Sequence, residues 1–218
     1  MTFDVAIIGA GPGGIYTAYE LIHRSPSMRI AVFEEGHTLE KRVCPIAAGK
    51  TKTCIRCTPC NIMNGFGGAG AFSDGKYNIT NDFGGTLYEH VGQTKATELM
   101  TYVDSINCAY GGASTHMYST AGTALRKKCM QNKLLLLNAS VRHLGTDINY
   151  VVLQNLYSEL KDKVSFFFDT QVTRLQPLGE GAGFRLFCGE ATHEARYVVA
   201  SVGRSGSSWM EQVCSELN

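Results

Sequence analysis

No run of this chain is apolar for long enough to span a bilayer, so no transmembrane helix is expected. A surplus of charge is also missing: 20 Lys and Arg face 19 Asp and Glu, for a formal net charge of +1. That balance gives no electrostatic reason to expect nucleic acid or an anionic membrane as partner. No export signal is expected either, because Met1 to Ile8 is short and gives way at once to glycine. The default expectation is a cytoplasmic protein whose eight cysteines are thiols or metal ligands rather than disulfides. There is no internal repeat, no Ser-His-Asp arrangement, no H-E-x-x-H and no Walker A loop. What remains is 218 residues, 44% hydrophobic, enough for one large domain with or without a smaller insert.

Phe3 to Ile8 is a short apolar run ending in glycine and reads as a buried parallel strand. From Gly13 to about His23 the pattern turns helical, with Ile15, Ala18, Tyr19 and Ile22 on one face, until Ser25-Pro26-Ser27 breaks it. Arg29 to Phe33 reads as a second buried strand, which completes a βαβ unit. Gly36 to Asn81 holds four of the eight cysteines, many glycines and little periodicity. A long functional loop is expected there. Gly84 to Asn132 reads as mainly helical, with Leu87, Val91, Leu99, Met100 and Val103 as buried positions, and Lys133 to Ala139 as a short strand. Helical spacing returns over Ile148, Val151, Val152, Leu156 and Leu160, with Asp147 placed as the N-cap. Val164 to Asp169, Val172 to Pro177 and Phe184 to Cys188 read as an antiparallel meander over about 164–194, with tight turns around Gly179 to Gly183. Arg196 to Gly203 returns to a buried strand.

Gly9-Ala10-Gly11-Pro12-Gly13-Gly14 matches G-x-G-x-x-G between the first strand and the first helix. Gly9 permits the tight turn, Gly11 lets a pyrophosphate approach the backbone, and Gly14 lets helix and strand pack closely. The helix N-terminus then favours the pyrophosphate's negative charge. Glu34 follows the second strand, where a carboxylate accepts bonds from ribose hydroxyls and repels a 2′-phosphate. The expected fold is α/β: one Rossmann-type domain over 1–218 with a parallel sheet, an inserted β-meander and a long Cys/Gly-rich loop.

Val32-Phe33-Glu34-Glu35-Gly36 and, after the meander, Ala200-Ser201-Val202-Gly203 resemble motifs of the glutathione-reductase-like flavoproteins. Cys57 to Lys76, Arg142 to Asp147 and Gly203-Arg204-Ser205-Gly206 are similar to segments of a largely uncharacterised family of bacterial FAD-dependent dehydrogenases. This resemblance covers essentially the whole chain and implies an FAD-linked oxidoreductase but no known substrate. The expected partner is a small-molecule substrate, with NAD(P)H as a candidate donor, although no second G-x-G-x-x-G occurs. The cofactor contacts it implies lie at Gly9, Gly11, Gly13, Gly14, Glu34, Glu35 and Arg42. Further ones fall at Gly67, Gly68, Gly70, Ser73, Val172 (through its backbone, to adenine) and Gly203. Flavoproteins of this group close the flavin site with a later segment carrying a Gly-Asp pair, and no such dipeptide occurs here. The expectation is therefore the N-terminal half of a longer architecture, or a site completed by a second chain.

Lys76 is placed to stabilise negative charge developing near a flavin N1, or is a solvated lysine on a turn. His143, in a predicted loop beside Arg142 and Asp147, is a candidate to bind or protonate substrate, or else stabilises a turn. Cys54, Cys57 and Cys60 form C-x-x-C-x-x-C, with Cys44 ten residues earlier. Four such thiolates suit an iron–sulfur cluster or zinc, a redox pair beside Arg56, or no ligand at all.

Overall fold

A computed structural model describes residues 1–179 and 181–217. Along the chain run β1 (Thr2–Ile8), α1 (Pro12–Arg24), β2 (Ile30–Phe33), β3 (Lys76–Ile79), α2 (Leu87–Val91), α3 (Gln93–Ala109), β4 (Met117–Ser119) and α4 (Ala124–Gln131). There follow β5 (Ser140–His143), α5 (Gly145–Leu160), β6 (Ser165–Phe167), β7 (Arg174–Pro177), β8 (Phe184–Cys188), β9 (Ala191–Ala200) and α6 (Ser207–Leu217). The sequence places one domain over 1–218. The chain instead forms two compact units, Met1–Phe72 with Leu156–Asn218, and Ser73–Asn155.

In the first unit a six-stranded sheet has the order β6-β2-β1-β9-β8-β7. β1 lies between β2 and β9 and is parallel to both. A strand in that position is covered on both faces, which explains why Val5 to Ile8 are all apolar and buried. β7 pairs antiparallel with β8, and β8 with β9, so these three strands form a meander whose last strand runs parallel to β1. β6 does not open that meander as its sequence suggests. It pairs parallel with β2, Phe167 opposite Phe33, because local alternation is the same for either pairing and only the neighbouring strand decides it. The turn expected around Gly179 to Gly183 includes Glu180, which lies outside the described residues.

α1 starts with Pro12 in its first turn, where a missing N–H has no intrahelical partner to lose. Ile15, Ala18 and Ile22 form its buried face, each isoleucine contributing about 1.5–3 kcal/mol of burial. His23 and Arg24 complement the dipole in its last turn. The sheet's far face packs Phe3, Phe33, Phe167, Leu186 and Val213, with the Phe33 and Phe167 rings stacked at 4.8 Å.

The second unit has a three-stranded antiparallel sheet, β3-β5-β4. Here several expectations are corrected. The long loop expected over 36–81 is interrupted by two short 3₁₀ turns, Leu39–Lys41 and Gly68–Phe72, and ends in β3. The helical stretch expected over 84–132 contains β4. Lys133 to Ala139 is not a strand; Leu134 and Leu135 are exposed, since the ladder with β3 and β4 begins only at Ser140. His143 ends β5 rather than sitting in a loop, and Asp147 lies inside the first turn of α5 rather than capping it. Leu87, Val91 and Leu99 face solvent, while α3 buries Ala96, Asp104, Ile106 and Asn107.

The reason for that last reversal is polar. Arg142 on β5 donates from Nε and Nη2 to the two Asp104 oxygens at 2.6 and 3.0 Å, and from Nη1 to the Thr115 carbonyl at 2.6 Å. A bidentate ion pair with both side chains largely shielded fixes which face of α3 turns inward, and hydrophobic spacing does not register it. Among the described residues, no helix is long and apolar enough to cross a membrane.

His193 on β9 sits among Phe3, Phe33 and Phe167, 7% exposed, and its Nδ1 has no hydrogen-bond partner among the described residues. Burial holds its pKa below the ordinary histidine value. Below about pH 6.5 the unfolded chain therefore takes up a proton that the folded chain refuses, and stability falls with falling pH, by at most about 1.4 kcal/mol per unit for one proton. In urea unfolding from pH 7.5 down to 5, a His193→Phe variant is expected to lose less stability than the unsubstituted chain. Equal losses would contradict this assignment.

Candidate dinucleotide site

The turn between β1 and α1 is held by close backbone contacts. Gly9 has φ +101°, and a Cβ there would lie 2.3 Å from the Ser201 carbonyl oxygen. At Gly14 a Cβ would lie 1.9 Å from the Gly9 oxygen. Neither position accepts a side chain. No side chain caps α1, and its first turn carries no acidic residue, so its leading N–H groups are open. An anion placed there meets aligned donors and the positive end of the dipole.

A cavity of about 650 Å³ opens at this turn, over the C-terminal ends of β2, β1 and β9. Ligands of open parallel sheets bind at such ends, and the volume suits a cofactor-sized molecule. Of the residues expected from sequence, Gly9, Gly11, Gly13, Glu34, Glu35, Gly68, Gly70, Val172 and Gly203 line it. Asn64, Thr170, Ser201, Arg204 and Trp209 line it too, and sequence reasoning did not single them out. Arg204 carried a signal in Gly203-Arg204-Ser205-Gly206, and Trp209 is the chain's one tryptophan. Thr170 carried none: it arrives because its N–H donates to the Glu34 carbonyl at 2.9 Å.

Glu34 is buried, and its carboxylate gathers three backbone donors. Oε2 accepts from Ala10 N at 2.7 Å, and Oε1 accepts from Gly36 N at 2.9 Å and Gly65 N at 2.8 Å. The glycine-rich turn, the end of β2 and the Cys/Gly-rich loop are thereby tied to one side chain. Gly67 N adds a bond to the Ala10 carbonyl at 2.8 Å. Glu35 accepts from Asn64 Nδ2, and its pKa is raised by burial and then by the neighbouring Glu34 charge. Asn64 leaves its buried Oδ1 without a donor among the described residues.

Arg42 does not line the cavity. It is 4% exposed and donates to the carbonyls of Asn61, Phe66 and Ile62 at 3.0, 2.6 and 2.8 Å, with its guanidinium 4.8 Å from the Phe72 ring centroid. Burial lowers its pKa to about 10, which leaves it charged at neutral pH. Arg42 is the strut of the Cys/Gly-rich loop. Cys44, Cys54, Cys57 and Cys60 do not come together: no group of three or more metal-ligating side chains forms among the described residues. The loop instead turns its carbonyls inward, with Cys60 O accepting from Met63 N and Asn64 N at 3.0 and 2.8 Å.

Ser73, Lys76 and His143 belong to the second unit. Lys76 and His143 face each other across the β3–β5 ladder. Asp74 Oδ2 lies 2.7 Å from Lys76 Nζ and 3.9 Å from His143 Nε2, and the hydrogen bond from Lys76 holds the Asp74 pKa below its ordinary value. All three side chains are about half exposed. Ser73 Oγ accepts from Gly75 N at 3.1 Å.

In a Glu34→Gln variant an amide N–H₂ replaces one acceptor and faces a backbone donor. The expected loss of folding stability is about 2–4 kcal/mol, read as a lower urea midpoint. An unchanged midpoint would show that the three backbone bonds are dispensable.

No protein-family model matches the chain, and no curated protein matches it. Solved structures do. Glycine oxidase from Geobacillus kaustophilus superposes with a TM-score of 0.54 at 17% identity, over 99% of this chain and 58% of that one. NikD, an unusual amino acid oxidase essential for nikkomycin biosynthesis, superposes with a TM-score of 0.53 at 13% identity, over 99% of this chain and 54% of that one. The chain thus spans little more than half the length of these two structures. At such identities the likeness is one of fold, and with the glycine-rich turn it makes this chain a mixed α/β protein of the dinucleotide-binding type.

Proposed function

We propose that the chain is the FAD-binding portion of a flavin-dependent oxidoreductase acting on a small organic substrate. The observation that carries the proposal is the cavity: open helix donors at the β1–α1 turn, a buried carboxylate at the end of β2, and walls from β9 and its following loop. Those residues fit an adenosine diphosphate group. The α1 N–H groups and the bare backbone at Gly11 receive the phosphates, and Glu34 with Glu35 meets the ribose hydroxyls and repels a 2′-phosphate. FAD, when bound, supplies the electron-transfer chemistry. The chain's own contribution is to bind and orient it. Val172, on the cavity wall, is proposed to meet the adenine through its backbone. Lys76 is proposed to stabilise negative charge during the reaction, and His143 to hold or deliver a proton, with Asp74 between them. NAD(P)H is proposed as donor, and a further segment or second chain as the partner that completes the flavin site.

A second reading is nucleotide binding without turnover, for which the same cavity suffices. A turnover test of the FAD-loaded chain with NAD(P)H separates the two.

Gly11 offers a clean probe. Its φ of −74° suits any residue, and a Cβ there would meet nothing closer than the Gly68 Cα at 3.9 Å. Gly11→Ala is therefore expected to fold normally. If a pyrophosphate passes this backbone, the variant binds FAD at least about tenfold more weakly, which is about 1.4 kcal/mol, in a fluorescence-quenching titration. Equal affinity in both chains, or no FAD uptake by the unsubstituted chain, would overturn the proposal.

A further inference from the structure

The charges on the cavity wall are few and separated. Among the described residues that line it, only Glu34, Glu35 and Arg204 are ionisable. The two carboxylates follow β2, and Arg204 follows β9. β1 lies between those strands, so the two ends are two strand spacings apart, roughly 10 Å. One end of the cavity suits hydroxyl donors and the other suits an anion.

Arg204 differs from the arginines that serve the fold. Arg42 holds three carbonyls, Arg142 holds Asp104, and Arg185 holds Glu194. The Arg204 side chain makes no ion pair or hydrogen bond among the described residues, although the residue lines the cavity. Its backbone is not loose: the Arg204 carbonyl accepts from Ser207 N at 3.3 Å as α6 begins. α6 itself is tied back to the sheet, with Trp209 Nε1 donating to the Thr173 carbonyl at 3.3 Å and Val213 buried. Arg204 thus lines an end of the cavity where, among the described residues, no carboxylate does, and its side chain carries a planar guanidinium fork. Such a fork matches a phosphate through two parallel N–H···O bonds.

We infer that Arg204 grips the second phosphate of a nucleoside diphosphate group and so lets the cavity tell a diphosphate from a monophosphate. The inference rests on the nucleotide reading of the same cavity. With the ribose over β2 and the first phosphate over the β1–α1 turn, the second phosphate continues toward β9, where Arg204 stands. A monophosphate ends short of it.

The test is a set of titrations of ADP, AMP and adenosine into the unsubstituted chain, Arg204→Gln and Arg204→Lys. Because the side chain is exposed and makes no bond among the described residues, both variants are expected to keep the thermal midpoint of the parent. The unsubstituted chain is expected to prefer ADP over AMP by about tenfold or more. Arg204→Gln lowers ADP affinity by about that factor, so that the preference collapses, while AMP and adenosine binding stay within about twofold. Arg204→Lys keeps part of the preference, since the charge remains and the fork is lost. If ADP binds but Arg204→Gln binds it as the parent does, this inference fails and the nucleotide reading stands. If the parent binds none of the three ligands, both fail together.

Discussion

Glu34 is where three separate stretches of chain converge on one carboxylate. Ala10 belongs to the glycine-rich turn, Gly36 to the segment just after β2, and Gly65 to a loop 31 residues beyond Glu34 in sequence. Hydrogen bonds to a charged acceptor are worth about 1.5–3 kcal/mol each, and all three here are buried. The cavity wall depends on this. Arg42 braces the same loop through the carbonyls of Asn61, Ile62 and Phe66, and the loop after β6 is held separately, by Thr170 N on the Glu34 carbonyl and by the His37–Asp169 pair.

This arrangement gives the Cys/Gly-rich loop a different meaning from the one its cysteines suggest. Four thiols within a short span point to a shared ligand, but the loop is organised around its own carbonyls, which Arg42 gathers, and around backbone N–H groups, which Glu34 gathers. Its glycines matter more than its cysteines. They allow Gly68 to come close against Gly11, so that the loop forms one wall of the cavity whose opposite wall is built from β9 and α6.

Much of the first unit was legible in the sequence because its signals are local. Phe3 to Ile8, the glycine turn, Ile15, Ala18 and Ile22, and Glu34 after a second apolar run all carry their meaning within a few residues. What was not legible is decided by partners distant along the chain. β6 could not be read as parallel without β2, nor the exposure of Leu134 and Leu135 without knowing where the ladder begins. The inward face of α3 depends on Arg142, almost forty residues away from Asp104. Arg42 reads as a ligand contact by resemblance, while the structure shows a side chain enclosed by its own loop. Arg204 was visible in a glycine-flanked motif, but that no carboxylate among the described residues lines its end of the cavity is a property of the fold alone.

The central claim is that this cavity holds FAD. The most direct measurement is the visible absorption spectrum of the chain purified without oxygen, before and after incubation with added FAD and removal of the excess. A two-banded flavin spectrum that stays with the protein in near-equal stoichiometry is the predicted result. A colourless protein that also fails to retain added FAD would contradict the account.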